Sequence, residues 1–291
     1  MSCEAAPGTT GGLKRSNGPI FFLLHQDHTR RMALLRLDRA IYASQPRPLQ
    51  HQVSGYLKAA RPAPVEGEIY ALIVPDSNLL SGARVAAEVY KLLEGRRYDT
   101  VVLIAPSHTG SFPRIHICSV DQYYTPLGTL LVDDRLRHEL CDEDDDIFLD
   151  DSGHFHTEGI DVQLPYLQTM LDAFSIVPVV MGDESPAFCY ELGRAIGEIT
   201  YNQRTLVVAS AEALGASEAH LAEFKACFET ADIARLMRLL HSDRVRMTGK
   251  GPLLVAMIAA LHRRADKARV LSLEPTRADT PGYVGAVLWR E

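Results

Sequence analysis

The sequence lacks the features that would mark an exported, membrane-spanning or nucleic-acid-binding protein. Its five cysteines (Cys3, Cys118, Cys141, Cys189 and Cys227) are odd in number, widely spaced and never arranged as Cys-x-x-Cys. That suggests neither a disulfide framework nor a zinc knuckle, and suits a reducing, cytoplasmic compartment. No apolar run is long enough to cross a bilayer or to serve as a signal-peptide core. The run nearest the start, Ile20-Phe21-Phe22-Leu23-Leu24, is only a fragment of either. There is no excess of basic charge: 30 basic against 37 acidic side chains give a formal net charge of -7. Such a balance offers no footprint for a phosphate backbone or an anionic membrane surface. Repeats at solenoid periods are absent, as is any Gly-x-Ser-x-Gly elbow.

What is present is the alternation of an α/β domain. At 291 residues the chain is long enough for one large core. Residues 1–18, rich in Gly, Ser and Thr, are expected to form a disordered or loosely attached extension, and 19–291 a single domain. Ile69 to Val74 predicts a buried strand, followed by Ser81-Gly82 and a helix bearing Val85, Val89, Leu92 and Leu93. Thr100 to Ala105 reads as a second strand. Ile176 to Met181, then Pro186 to Ile199, then Leu206 to Ala209 repeat the pattern of strand, helix and strand. Helices follow over Ala231 to Leu240 and Pro252 to His262, and strands over Val270 to Leu273 and Tyr283 to Trp289, with a turn at Thr280-Pro281-Gly282. Short apolar strands between amphipathic helices imply a mainly parallel sheet flanked by helices. The strands ending at Val74 and Ile104 are expected to be parallel neighbours, opening Asp76 and His108 onto one pocket at the sheet edge where α/β proteins bind ligands.

Several segments then match a known pattern in order and spacing. Val74-Pro75-Asp76-Ser77-Asn78-Leu79-Leu80-Ser81-Gly82 stands where the Memo family has a strand ending Pro-His-Ala-Gly-Tyr and then Ser-Gly. Ala105-Pro106-Ser107-His108 is similar to its Gly-Pro-Ser-His, and Tyr124-Thr125-Pro126-Leu127-Gly128 to its Tyr-x-Thr-Pro-Leu-Gly. Glu158-Gly159-Ile160-Asp161-Val162-Gln163-Leu164-Pro165 falls on its His-Ser-Ile-Glu-x-Gln-Leu-Pro, and Thr248-Gly249-Lys250-Gly251 on its Thr-x-Cys-Gly. Over roughly residues 38–291 the chain thus resembles the Memo family, also called AmmeMemoRadiSam system protein B. The resemblance implies the fold of LigB-type class III extradiol dioxygenases. It also implies a metal site whose three ligands would fall on Asp76, His108 and Lys250, and family-level partners of the radical-SAM and AMMECR types. Only the histidine survives among those three. The family's acidic residue after Ser-Ser falls on Ala211, a further histidine on Leu214, and the His and Glu of the His-Ser-Ile-Glu block on Glu158 and Asp161.

These replacements point to a binding module for a small molecule or a protein, with a degenerate metal site, no cofactor and a pocket lined by Asp76, His108, Glu158, Asp161 and Lys250. The alternative is a dioxygenase-like, metal-dependent oxidoreductase in which Asp76, His108 and Glu158 hold iron, copper or zinc. Lys250 brings donors and no acceptor, so an Asp76–Lys250 ion pair is the expected filling of an emptied metal site. A third reading makes Lys250 a catalytic amine. A Ser107–His108–Asp76 hydrolase is disfavoured, since adjacent residues at a strand end project in different directions. His154 and His156, with Glu158, have the alternate spacing of a relocated metal cluster, although loop histidines of this kind are more often solvated. The acidic stretch Asp142 to Asp146 lacks calcium-loop spacing, the His25 and His28 pair lacks a partner acid, and Gly249-Lys250-Gly251 is no phosphate loop.

Overall fold

In a computed structural model the described residues are 41–76, 79, 81–112, 114–141, 146–154, 157–242, 244–274 and 282–291, without the side chain of Leu214. The 1–18 extension, the Ile20–Leu24 run, Cys3, His25, His28, His156, most of the acidic stretch and the turn at 280–281 lie outside them.

Among the described residues the first elements are α1 (Pro46–Ala59), β1 (Glu68–Pro75), α2 (Ala83–Tyr90) and β2 (Thr100–Pro106). Short elements follow: β3 (Ile115–Ile117), β4 (Gln122–Thr125), β5 (Gly128–Leu131), α3 (Asp134–Leu140), β6 (Ile147–Leu149), α4 (Glu158–Asp161) and α5 (Leu164–Met170). The second half holds β7 (Ser175–Met181), α6 (Pro186–Ile199), β8 (Thr205–Ala216), α7 (Glu218–Glu229), α8 (Ile233–Leu240), β9 (Val245–Thr248), α9 (Lys250–His262), β10 (Lys267–Glu274) and β11 (Gly282–Arg290). The expected strands and helices are all present, with bounds that shift by a few residues.

A nine-stranded sheet runs β10-β11-β1-β8-β2-β7-β3-β6, with β9 paired to β8. Its centre, β1-β8-β2-β7, is parallel. Antiparallel pairing is confined to the flanks, where β11 meets β1 and β10, β3 meets β7, and β9 meets the far end of β8. Strands buried on both faces need apolar side chains at every position, which is why β1 and β2 read as unbroken hydrophobic runs rather than alternating ones. Ile73, Ile104 and Val179 pack on one face against Leu192 and Ile196 of α6 and Leu253 and Val255 of α9. Leu72, Leu103 and Val208 face the opposite cluster, which includes Leu49 and Val53 of α1, Val89 of α2 and Leu164 of α5. Gly193 and Gly197, one turn apart on α6, lie directly against Ile258 and His262 of α9, so any side chain there would push the two helices apart.

One expectation is corrected. The strands ending at Val74 and Ile104 are parallel but not adjacent, because β8 lies between them and pairs with both. Strand order in such a sheet is set by which crossovers cover which face, and sequence order does not reveal it.

Candidate functional site

The site forms where β1, β8 and β2 end. Neighbouring strands lie about 4.8 Å apart, so β1 and β2 are separated by roughly 10 Å, and two side chains can meet only by reaching across the end of β8. Asp76 and His108 do so: His108 Nε2 lies 2.7 Å from Asp76 Oδ2. The carboxyl side chain is 1 % exposed and the imidazole 26 %. Beneath them Ser210 of β8 donates its hydroxyl to Asp76 Oδ1 at 2.7 Å.

The bonds behind this pair run in one direction. The Tyr90 hydroxyl donates to Gln163 Oε1 at 3.0 Å, and Gln163 Nε2 donates to Ser210 Oγ at 3.3 Å and to the Pro75 carbonyl at 3.0 Å. Ser210 accepts a hydrogen bond from Gln163 and donates its own to Asp76 Oδ1, and a carboxylate offers only acceptors at its second oxygen. Nε2 of His108 is therefore the donor in its bond to Asp76. The Glu158 N–H donates weakly to Nδ1 at 3.3 Å, as fits a neutral ring with its proton on Nε2. The charges pull the other way: burial alone would lower the imidazole's pKa, but the hydrogen bond and charge of Asp76, with Glu158 and Glu212, outweigh it and raise the value. The Asp76 bond is shorter than the Glu158 contact, and it decides the balance in favour of the cation as pH falls.

Gly159 lies so close to Asp76, Ala105 and Ser210 that a Cβ would collide with the Asp76 carboxyl, so α4 seals the pair from one side. Glu212, two residues beyond Ser210 on β8, is held at about 7 by burial and by the charge of Asp76, which the His108 charge partly offsets. The two residues alternate onto the same side of the strand.

Lys250 does not meet Asp76. No ion pair joins them, and the Asp76 carboxyl is already occupied by His108 and Ser210, so the expected Asp76–Lys250 pair is corrected to Asp76–His108. Lys250 starts α9 directly after Gly249, whose φ of 76° and contact with the Ser210 carbonyl admit only glycine. It lines a separate part of the site, an open cleft of about 610 Å³ beside Ser107, Phe112, Met181, Gly182, Asp183 and Glu184. Burial raises the Glu184 pKa against the lowering pull of the Gly251 N–H and the Lys250 charge. Asp161 is buried and turned toward Tyr123, whose hydroxyl lies 3.4 Å away, rather than toward His108. Ser107 bonds the Gly110 carbonyl at 2.8 Å and Thr109, not His108, so no Ser–His–Asp relay forms.

His154 departs from the solvated reading given to the loop histidines. It is 1 % exposed, with Nε2 on the His116 carbonyl at 3.1 Å and Nδ1 without a partner. Burial lowers its pKa to about 4. The folded chain thus holds it neutral while the unfolded chain protonates it below the ordinary 6.5, so its stabilising contribution is full above pH 6.5 and is lost between there and about 4. Replacing His154 with leucine should cut the fall in unfolding free energy between pH 7 and pH 5 by roughly 2 kcal/mol. Urea titrations of both proteins at the two pH values measure this, and equal falls would disprove it.

The family model for Memo-like proteins matches residues 36–287. The chain belongs to the Memo family. A MEMO1 family protein of Ignicoccus hospitalis is 32 % identical to it over 227 residues, covering 74 % of this chain and 79 % of that protein. MEMO1 family proteins of Nitrosopumilus maritimus and Saccharolobus solfataricus are each 27 % identical, over 226 and 269 residues. The alignments cover 76 % and 86 % of this chain, and 82 % and 94 % of those proteins. Of the three positions on which the resemblance would place ligands, Asp76 and His108 are brought into contact, while Lys250 stands apart. Among the described residues no group of three or more His, Cys, Asp or Glu side chains is arranged to hold a metal ion. Ser210, Gln163, Gly159, Glu184 and Glu212 belong to the site but were not singled out from the sequence. The signal for Ser210 and Glu212 was their alternate spacing beyond a strand end. Gln163 carried a signal as the glutamine of the matched Gln-Leu-Pro block, whereas nothing in the sequence marks Glu184.

Proposed function

We propose that this Memo-family chain is a binding module that works without a metal and takes a small molecule in the cleft beside Asp76 and His108. The observation that carries this reading is the closure of the Asp76–His108 pair. In a metal centre the donor atoms point at a common empty position; here the Asp76 oxygens are taken by His108 and Ser210, and both imidazole nitrogens are engaged. The His108 N–H satisfies the buried carboxylate, and on protonation the ring adds the positive charge that a cation would otherwise give it. Lys250, at the third ligand position, offers no lone pair while it is an ammonium. A small molecule is favoured over a protein partner because the adjacent space is a concave cleft in the size range of ligand sites, not a flat apolar face.

Elemental analysis of the purified protein tests the reading. Iron, copper and zinc should each fall well below one atom per chain, and His108→Ala should leave that content unchanged. About one tightly held metal per chain, lost in His108→Ala, would replace this reading with that of a metal-dependent oxidoreductase using Asp76, His108 and Glu158.

A further inference from the structure

We propose that residues 108–112 form a flap locked by a plug: the Phe112 ring, seated in a notch between Gly153 and Gly182, is the positioning residue that holds the His108 imidazole on Asp76. The lock acts on the Asp76–His108 pair itself, whether or not the cleft takes a ligand.

The flap is clamped at its base and bare at its tip. Ser107, just before it, donates its N–H to the Met181 carbonyl at 2.9 Å, and Gly182 donates its own to the Arg114 carbonyl at 3.0 Å, so both ends sit on adjacent residues at the end of β7. Between these clamps residues 108–111 are at the surface. Among the described residues their ties are those of the His108 ring to Asp76 and the Glu158 N–H, and those of Ser107 to Thr109 and the Gly110 carbonyl. Each loop residue held in one conformation loses backbone entropy, and a hydrogen bond at the edge of a mobile loop does not by itself keep a ring in place. A second anchor is needed. Phe112, at the other end of the flap, packs against the apolar cluster that includes Leu103, Ile160 and Val180.

The notch is kept clear for the ring. A Cβ at Gly182 would collide with it, and one at Gly153 would fall 3.0 Å from its Cζ and 3.2 Å from His116 Nδ1. Neither glycine has the positive φ that would demand glycine for the backbone's sake, so space for the ring is what excludes a side chain at either position. The His116 imidazole closes a third side, stacked on Phe112 with centroids 4.1 Å apart and planes 23° apart. Gly153 follows β6, Gly182 ends β7 and His116 lies in β3, so one ring ties three parts of the sheet edge together.

From the notch two routes lead to His108. One is the flap itself, four residues back along the chain. The other runs through the segment after Gly153: Thr157 donates its hydroxyl to the Gly153 carbonyl at 2.8 Å, and the next residue, Glu158, gives its N–H to His108 Nδ1. Gly159 then lies against the Asp76 carboxyl. A seated ring thus fixes both the chain that carries the imidazole and the segment that faces its far nitrogen. Ser107, Gly110, Ser111 and Phe112 also line the cleft, so the same plug sets the position of that wall.

The test is proton NMR on the full chain, reading the Nε2–H of His108, a ring proton that exchanges slowly with water for as long as its bond to the Asp76 carboxylate holds. Its disappearance in His108→Gln assigns the signal. Phe112→Ala empties the notch and Gly182→Ala fills it, and each should speed exchange of that proton by about tenfold or more while urea unfolding stays cooperative. Gly153→Ala, a milder crowding of the same ring, takes the place of Gly182→Ala if that protein does not fold. Phe228→Leu thins the core cluster on the opposite face of the sheet from Phe112 and should leave the signal where it is. A His108 proton that exchanges as slowly as in wild type in Phe112→Ala or in the glycine variant, or one that Phe228→Leu accelerates as much, would overturn the proposal. The readout involves neither metal nor ligand, so its failure leaves the reading of a metal-free cleft standing, and failure of that reading leaves the lock standing.

Discussion

Removing the His108 imidazole should destabilise the protein by roughly 3 kcal/mol, because the Asp76 carboxylate stays buried and, among the described residues, keeps the Ser210 hydroxyl alone as a side-chain partner. Asp76→Ala should cost a similar amount, and the double replacement clearly less than the sum, since a pair removed together leaves no orphaned charge. The coupling should also depend on pH. Because the pKa of His108 is raised in the folded state, the ionic part of its contribution is full below the ordinary 6.5 and is lost as pH rises through the folded value. Above that, a neutral hydrogen bond to an ionised Asp76 remains. A double-mutant cycle at pH 6 and pH 9, read from denaturant unfolding, should show a larger coupling at pH 6. Additive effects at both pH values would disprove the pair. The parallel cycle between Asp76 and Lys250 should be additive, as no bond joins them.

Asp161→Asn should stabilise the protein in alkaline solution. Burial raises the Asp161 pKa from 3.8 to about 7, with a smaller rise from the Glu158 charge and an opposing pull from the Tyr123 hydroxyl. The folded chain keeps this proton to near neutrality, while the unfolded chain releases it above 3.8. The stability associated with the proton is therefore full below pH 3.8 and is lost as pH rises to about 7, after which the carboxylate is a fixed liability of roughly 4 kcal/mol. Asparagine can accept from Tyr123 through its carbonyl oxygen and never ionises. The variant should thus gain roughly 3 kcal/mol over wild type at pH 8.5 and little at pH 4.5. Urea unfolding at the two pH values decides it, and a difference that does not change with pH would refute the burial account. The sign is opposite to that at His154, so the two variants distinguish a buried acid from a buried base in one protein.

Much of the fold was legible because its central strands are covered on both faces. Ile69 to Val74 and Thr100 to Ala105 can only be buried strands, and Pro186 to Ile199 carries its start signal and its periodicity together, so its bounds match. Elsewhere the pattern fails for physical reasons. Strand β8 continues seven residues past Ala209 into Ser210 to Ala216, where Ser210 and Glu212 turn to the site while Ala211 and Ala213 stay in the core, so the unbroken apolar run that marks a strand is lost. Helix α9 is apolar on all sides, so its start at Lys250, two residues before the proline, has no amphipathic edge to mark it. The three-residue strands β3 and β6 are too short for any period to register. The site was half legible. Asp76 and His108 stand out as polar residues at the ends of apolar strands, and their proximity follows from the sheet edge. That His108 and not Lys250 balances Asp76 depends on β8 lying between β1 and β2, and no local pattern records strand order.

The interposed β8 also sets when the site comes into being during folding. Asp76, His108 and Ser210 meet across sequence separations of 32 and 134 residues, and the last strand to enter is the one that fills the gap between the other two. A ribosome-bound chain that has emerged only through α6 holds β1 and β2 with nothing between them, so it has neither a continuous sheet nor a paired Asp76. Contacts this distant are slow to form, since the entropy of closing the long loop is lost before any pairing rewards it. The continuous sheet and the Ser210 bond to Asp76 wait on β8, and the cleft is complete only when α9, which follows β8 in the chain, brings in Lys250.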